Sequence, residues 1–192
     1  GLGEVGKNMY CVEHDNEIII IDAGVMFPEE NLLGINYVIP DYQYLIENQS
    51  KIKALIITHG HEDHIGGIPF LLKVVDIPKI YAPKFASFLI NRKLEEHKLN
   101  HKAKIELFDG DSQIKTKHFR VGFFSVIHSI PDAYGVYITS PNGTIISTGD
   151  FKFDLTPVEG NIDYQKMAFI GSTGVTLALS DSTNSEIPDF SL

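Results

Sequence analysis

The six residues His59-Gly60-His61-Glu62-Asp63-His64 hold three histidines and two acids, directly after the apolar run Ile52 to Thr58. Alternate side chains on extended chain share a face, so His59 and His61 can grip one cation together. Asp63 and His64 come one step later, where the chain turns into a helix, and can face a neighbouring cation. The pattern His-x-His-x-Asp-His arises by chance in roughly one chain of this composition in a thousand. A polar loop of solvated histidines is the plain alternative. Gly60, Gly66 and Gly67 weigh against it, because a tight metal loop needs backbone freedom and close approach. Cys11 is the only cysteine, so the donors are nitrogen and oxygen, which point to zinc, with manganese as the alternative.

Four ligands from one loop would be cramped, so others are expected from elsewhere. His128 follows the apolar strand Phe119 to Ile127, and Asp150 follows Ser147-Thr148-Gly149. Each stands at a strand end, where a rigid sheet presents side chains to a rim. Alone either would read as a cap or turn residue; beside the histidine loop they read as ligands. A carboxylate such as Asp150 can bridge two cations roughly 3.5–4 Å apart. Asp22 ends the strand Glu17 to Asp22 and reads as support that orients a ligand histidine, or equally as a turn cap. Of the other histidines, His14 falls in a turn and His118 starts a strand. His97 and His101 have helical spacing but lie among Glu95, Glu96, Lys98 and Lys102, a solvated helix end.

The elements that must position these residues are mostly strands. Runs rich in Ile, Val, Phe and Tyr occur at Met9 to Glu13, Glu17 to Asp22, Ile52 to Thr58, Lys79 to Tyr81, Lys104 to Phe108, Phe119 to Ile127, Tyr134 to Thr139 and Thr144 to Ser147. Pro141-Asn142-Gly143 joins the last two as a hairpin. Helical periodicity is confined to about Ile65 to Val75 and Lys84 to Leu99. Many strands, short turns and a few helices give an α/β (α+β) layered domain. Gly1-Leu-Gly3-Glu-Val-Gly6 satisfies a dinucleotide fingerprint and nearly a phosphate loop. Both motifs require a strand before and a helix after, whereas a strand follows here, so the glycines read as a loop leading into it.

With 192 residues, 43% hydrophobic and 21% charged, the chain fits one ordinary domain and excludes a disordered tail or a coiled coil. No apolar run approaches a membrane span. A lone cysteine excludes a disulfide scaffold and suits a reducing, cytoplasmic home. The net charge of −9 argues against coating nucleic acid by bulk positive charge. Residues 92–120 are locally basic, at a net of +3, and read as a solvated face.

Taken together, the histidine loop and the distant His and Asp resemble the metallo-β-lactamase superfamily. The blocks Gly3-Glu-Val-Gly6-Lys-Asn8-Met9, Thr58-His-Gly-His-Glu-Asp-His64-Ile, His128-Ser-Ile-Pro-Asp132, Thr148-Gly-Asp-Phe-Lys-Phe-Asp154 and Leu179-Ser-Asp-Ser-Thr-Asn184 narrow the resemblance to the ribonuclease J family, the bacterial β-CASP branch. This likeness implies an αββα sandwich with two zinc ions. It implies that His59, His61 and His128 hold one metal, Asp63 and His64 the other, and that Asp150 bridges. Asp181 matches a position that partners a catalytic histidine from later in such chains. It further implies that residues 1–192 are the amino-terminal part of a metallo-β-lactamase domain, ending near the start of a β-CASP insertion. An incomplete second metal site and exposed apolar sheet surface would follow.

The activity so implied is metal-dependent hydrolysis of RNA phosphodiesters in RNA processing and decay, 5′-3′ exonucleolytic, endonucleolytic or both. Asp63, Asp150 and Asp181 would be catalytic, RNA the substrate, and a homo-oligomer with RNA-decay partners the assembly. Two other readings compete. One is a small-molecule metallo-hydrolase, thioesterase or lactonase, on the same fold. The other is an inactive fragment serving as a non-catalytic RNA-binding or assembly module.

Overall fold

Tyr10–His14 (β1) turns at Asp15 and Asn16 into Glu17–Ile21 (β2), which is buried along its whole length. Four consecutive isoleucines offer water no polar face. Because side chains alternate along a strand, Ile18 and Ile20 join one hydrophobic core while Ile19 and Ile21 join another. A parallel strand covered on both faces has this composition. The computed structural model describes residues 1–28, 32–158, 160–183, 185–186 and 188.

Ile52–Ile56 (β3), Ile80–Ala82 (β4) and Ile105–Leu107 (β5) continue the first sheet in the order β1-β2-β3-β4-β5, parallel except for the β1–β2 hairpin. The crossovers carry Gln43–Glu47 (α1), Glu62–Ile65 (α2), Ile68–Val74 (α3) and Lys84–Glu96 (α4). Leu45, Ile68, Leu71, Leu72, Ile90 and Leu94 of these helices cover Ile18, Ile20, Leu55 and Ile80 on one face of the sheet.

The second sheet runs through Gln113–Lys115 (β6), Arg120–Ser125 (β7), Tyr134–Ser140 (β8), Gly143–Ser147 (β9) and Leu177–Leu179 (β10), with β10 parallel to β9 and the others antiparallel. Its inner face sets Val121, Phe123, Val136 and Ile138 against Ile19, Ile21, Ala54 and Ile56 of the first sheet. Its outer face packs Phe124, Val126 and Ala133 on Ile170 of Tyr164–Ser172 (α5). Helix, sheet, sheet, helix: the layers are the αββα sandwich that the resemblance implies. Leu177 of β10 and Phe169 of α5 remain exposed. Among the described residues no helix is long and apolar enough to cross a membrane.

All eight expected strands form, with ends displaced by a residue or two. The β3 ladder stops at Ile56, because the Thr58 amide turns to the Asp22 carboxylate. The single helix expected over 65–75 is two: α2 starts earlier, at Glu62, and Pro69 in the first turn of α3 lacks the N–H that a continuous helix would use. The helix expected to reach Leu99 stops at Glu96. Residues 1–6 form turns leading into β1, with no helix after them.

Candidate metal centre

The two sheets deliver their polar residues to one rim. Asp22 follows β2, His59 to His64 follow β3, His128 follows β7, Asp150 follows β9 and Asp181 follows β10. β7, β9 and β10 share one direction, so their carboxyl ends meet at the same edge. A bridge between Ile127 and Lys152, with the Lys152 amide donating to the Ile127 carbonyl at 2.8 Å, ties the His128 and Asp150 loops together.

Beneath the rim, the chain after β2 runs along the His61–His64 turn. The Ala23 amide donates to the His64 carbonyl at 2.8 Å, and the Asn8 amide to the Asp63 carbonyl at 3.1 Å. A Cβ on Gly24 would lie 1.6 Å from the Asp63 carbonyl oxygen, so only glycine lets the two segments approach. Asp22 itself has φ +58°, a left-handed conformation that Asp tolerates better than most residues.

His61 Nδ1 lies 3.2 Å from His59 Nε2 and 3.0 Å from His128 Nε2. The three rings stand 4.8–4.9 Å apart and nearly perpendicular. Imidazole nitrogens that converge on one point need a proton or a cation between them. With Asp150 they form one group of donors, all within 4.8 Å of one another. Asp63, His64 and Asp150 form a second. Asp150 belongs to both, its Oδ1 lying 3.1 Å from His64 Nε2 and its Oδ2 3.6 Å from His128 Nε2. Three imidazoles with a carboxylate, beside an imidazole with two carboxylates, make a donor set that fits two divalent ions of the zinc or manganese kind.

The electrostatics favour ligation. Burial foremost, with the charge of His64 adding, carries the His59 pKa down to about 2, which keeps it neutral as a ligand must be. Burial likewise lowers His128. For Asp150 burial works upward, but the hydrogen bond and charge of His64 and the charges of His59 and His128 prevail and hold it at about 2. Burial would lower His64, yet the Asp22 charge, the bonds to Asp150 and Asp22 and the Asp150 charge outweigh it and carry it up to about 10. Its Nδ1 donates to Asp22 Oδ2 at 2.8 Å, leaving Nε2 as the position where a dication would replace the proton.

Asp22 is 1% exposed and also accepts from the Thr58 amide and hydroxyl, both at 2.8 Å. It therefore lies under His64 rather than among the donors. Asp181 stands apart from both groups: its amide donates to Thr148 Oγ1 at 3.0 Å and its carboxylate accepts from the Thr183 amide at 2.8 Å. A cleft of about 510 Å³ runs from Asp63, His64 and Asp150 past Asp181 and the glycine-rich loop. Asn184, which closes the Asp181 block, lies outside the described residues. One residue escaped the sequence reading. Asn8 directs its Nδ2 at Asp63 Oδ2 (3.1 Å) and His64 Nε2 (3.0 Å); its place in the first of the resembling blocks was the available signal. His97 and His101 join no donor group among the described residues. In the basic segment Lys93, Lys102 and Lys104 pair with Glu62, Asp76 and Glu106, as a solvated face would.

Comparison with known proteins agrees with this architecture. Ribonuclease J of Mycoplasma genitalium is 54% identical over 191 residues, covering all of this chain and 34% of the relative. Ribonuclease J 1 of Streptococcus pyogenes is 56% identical over 190 residues, 99% of this chain and 34% of the relative. The chain thus spans about a third of the length of these curated relatives. The Zn2+-bound PqqB of Methylobacterium extorquens matches in fold alone, with a TM-score of 0.61 at 14% identity over 89% of this chain and 58% of that one. The model of the metallo-beta-lactamase superfamily matches residues 2–183. It runs through both sheets and every residue of the two donor groups, and the chain belongs to that superfamily.

Proposed function

We propose that the protein to which this chain belongs is a metal-dependent ribonuclease that hydrolyses RNA phosphodiesters at a two-zinc site. The observation that carries this reading is the pair of donor groups sharing Asp150, on a chain more than half identical to relatives named ribonuclease J. His59, His61 and His128 would hold one ion, Asp63 and His64 the other, with Asp150 between. Bound dications lower the pKa of water and neutralise charge on phosphoryl oxygens. Asp63 orients the attacking water and takes its proton. Asp22 holds His64 by Nδ1 so that Nε2 faces the second site. Asp181 lines the cleft wall and would partner a catalytic group of the longer protein. The fragment is read as the front of a split catalytic domain, with substrate grip, 5′-end preference, oligomerisation and decay partners belonging to the longer protein.

His61→Ala or Asp63→Ala in the full-length protein should abolish cleavage of labelled RNA, about 100-fold or more below wild type. Near-normal turnover would sink the assignment. Preferential hydrolysis of a thioester or lactone by the metal-loaded protein would favour a small-molecule hydrolase. Residues 1–192 alone should show no robust cleavage.

A further inference from the structure

His14 is the last residue of β1 rather than a turn residue, and His118 lies in the turn before β7 rather than in the strand, far apart in sequence. The fold brings them together. The β1–β2 turn and the β6–β7 turn lie side by side, with the two imidazoles 5.1 Å apart at 62°. Asp15 Oδ2 is 3.8 Å from His14 Nε2 and 3.8 Å from His118 Nε2. One donor atom from each of the three residues falls within 4.8 Å of the others. The ring spacing is near the 4.8–4.9 Å of the three histidines in the metal centre, though those rings are closer to perpendicular.

We propose that His14, Asp15 and His118 form a separate binding site for a borderline transition-metal dication, of which zinc and copper are the type. The site lies at the other end of β2 from the metal centre: Asp15 shortly precedes the strand and Asp22 follows it, and the strand between them spans roughly 16 Å. Two imidazoles and one carboxylate suit such an ion, at about 2.0–2.2 Å from each donor. Ligands of one tetrahedral ion stand about 3.3–3.6 Å apart, against 3.8 Å from Asp15 Oδ2 to each imidazole Nε2 and 4.8 Å as the outer bound of the group. The ion would retain an open position for water.

The surroundings hold the donors in place. Glu17 is buried at the start of β2 and accepts from Thr116 Oγ1 at 2.6 Å and from the amides of His118 and Lys117 at 2.8 and 3.3 Å. It staples the His118 turn to the strand that begins just after Asp15. Asp15 sits at φ +51° in its own turn, with its carboxylate between the two imidazoles. Asn142, from the β8–β9 hairpin, has its side-chain amide 3.3 Å from His14 Nδ1. Because an amide can present either end, its oxygen can accept from Nδ1–H and leave Nε2 with a free lone pair. That is the outer partner a ligating histidine usually has.

The test compares wild-type full-length protein with His14→Ala, His118→Ala and Asn142→Leu. Zinc bound at a fixed free concentration is measured by dialysis and elemental analysis, and thermal midpoints in chelator check folding. Wild type should retain one equivalent more than either histidine variant, while their RNA cleavage with the other centre loaded stays unchanged. Asn142→Leu should weaken the extra equivalent about 10-fold, and it remains informative should a histidine variant fail to fold. Copper added to zinc-loaded wild type should give a paramagnetic spectrum with nitrogen hyperfine structure that His118→Ala lacks. Equal zinc content in wild type and folded variants, or a copper spectrum indifferent to His118, would overturn the proposal.

Discussion

Asp22 accepts from the Thr58 amide, the Thr58 hydroxyl and His64 Nδ1 while almost wholly removed from water. A buried carboxylate with three donors couples the end of β2 to the loop after β3 and to the orientation of His64. Asp22→Ala should therefore weaken dication binding about 10- to 100-fold. It should also cost about 1–3 kcal/mol, because the buried Thr58 amide loses its acceptor. Metal dialysis and denaturant unfolding read the two effects separately; a variant changed in stability but not in affinity would show Asp22 to be a cap only. The choice between cap and support was open in the sequence, since a strand-end Asp suits both. In the fold Asp22 does both, through different oxygens.

At the scale of elements, eight strands were legible, the three-residue β4 and β5 among them, because Ile, Val and aromatic runs bounded by turn residues leave little alternative. The three-residue strands β6 and β10, the five-residue α1 and the half-exposed α5 were not. One residue of β6 is buried and β10 is largely exposed, α1 is too short to show a helical period and α5 buries only Ile170, so neighbours rather than pattern hold them in place. Glu17 shows such a neighbour effect between the two sheets. Burial works to raise its pKa, but hydrogen bonds from Thr116, His118 and Lys117 prevail and hold it below the ordinary range. A carboxyl depressed in the fold stabilises above its unfolded pKa, about 4.3, and loses that contribution as pH falls through the folded value. Thermal midpoints of wild type should thus drop more steeply below about pH 4.3 than those of Glu17→Gln. Parallel acid profiles would show that Glu17 carries no linkage between the β2 and β7 ends. Gly24 marks a second junction of elements. Gly24→Ala forces a Cβ onto the Asp63 carbonyl and should destabilise by about 1–3 kcal/mol, with divalent-metal content falling alongside in the same preparation.

Over the whole molecule, with a net charge of −9 and carboxylates in both donor groups, divalent ions held there would offset part of the negative charge. Removing them with chelator should lower the thermal midpoint. An ion present at about 100 times its dissociation constant contributes about 2.7 kcal/mol by mass action. A midpoint indifferent to chelator would mean that the donor groups bind no ion tightly. The sequence by itself determined the loop from His59 to His64 and its pairing of donors, because alternate facing on extended chain is a local property. It determined the buried strands for the same reason: four isoleucines in a row can go nowhere but inside. The sequence pointed to His128 and Asp150 as further ligands, but only the tertiary structure decided that Asn8 reaches that loop with them, that Asp181 stands off from it, and that His14 faces His118. Those meetings depend on strand order, register and where each hairpin ends, and none of these is written in any short stretch of chain.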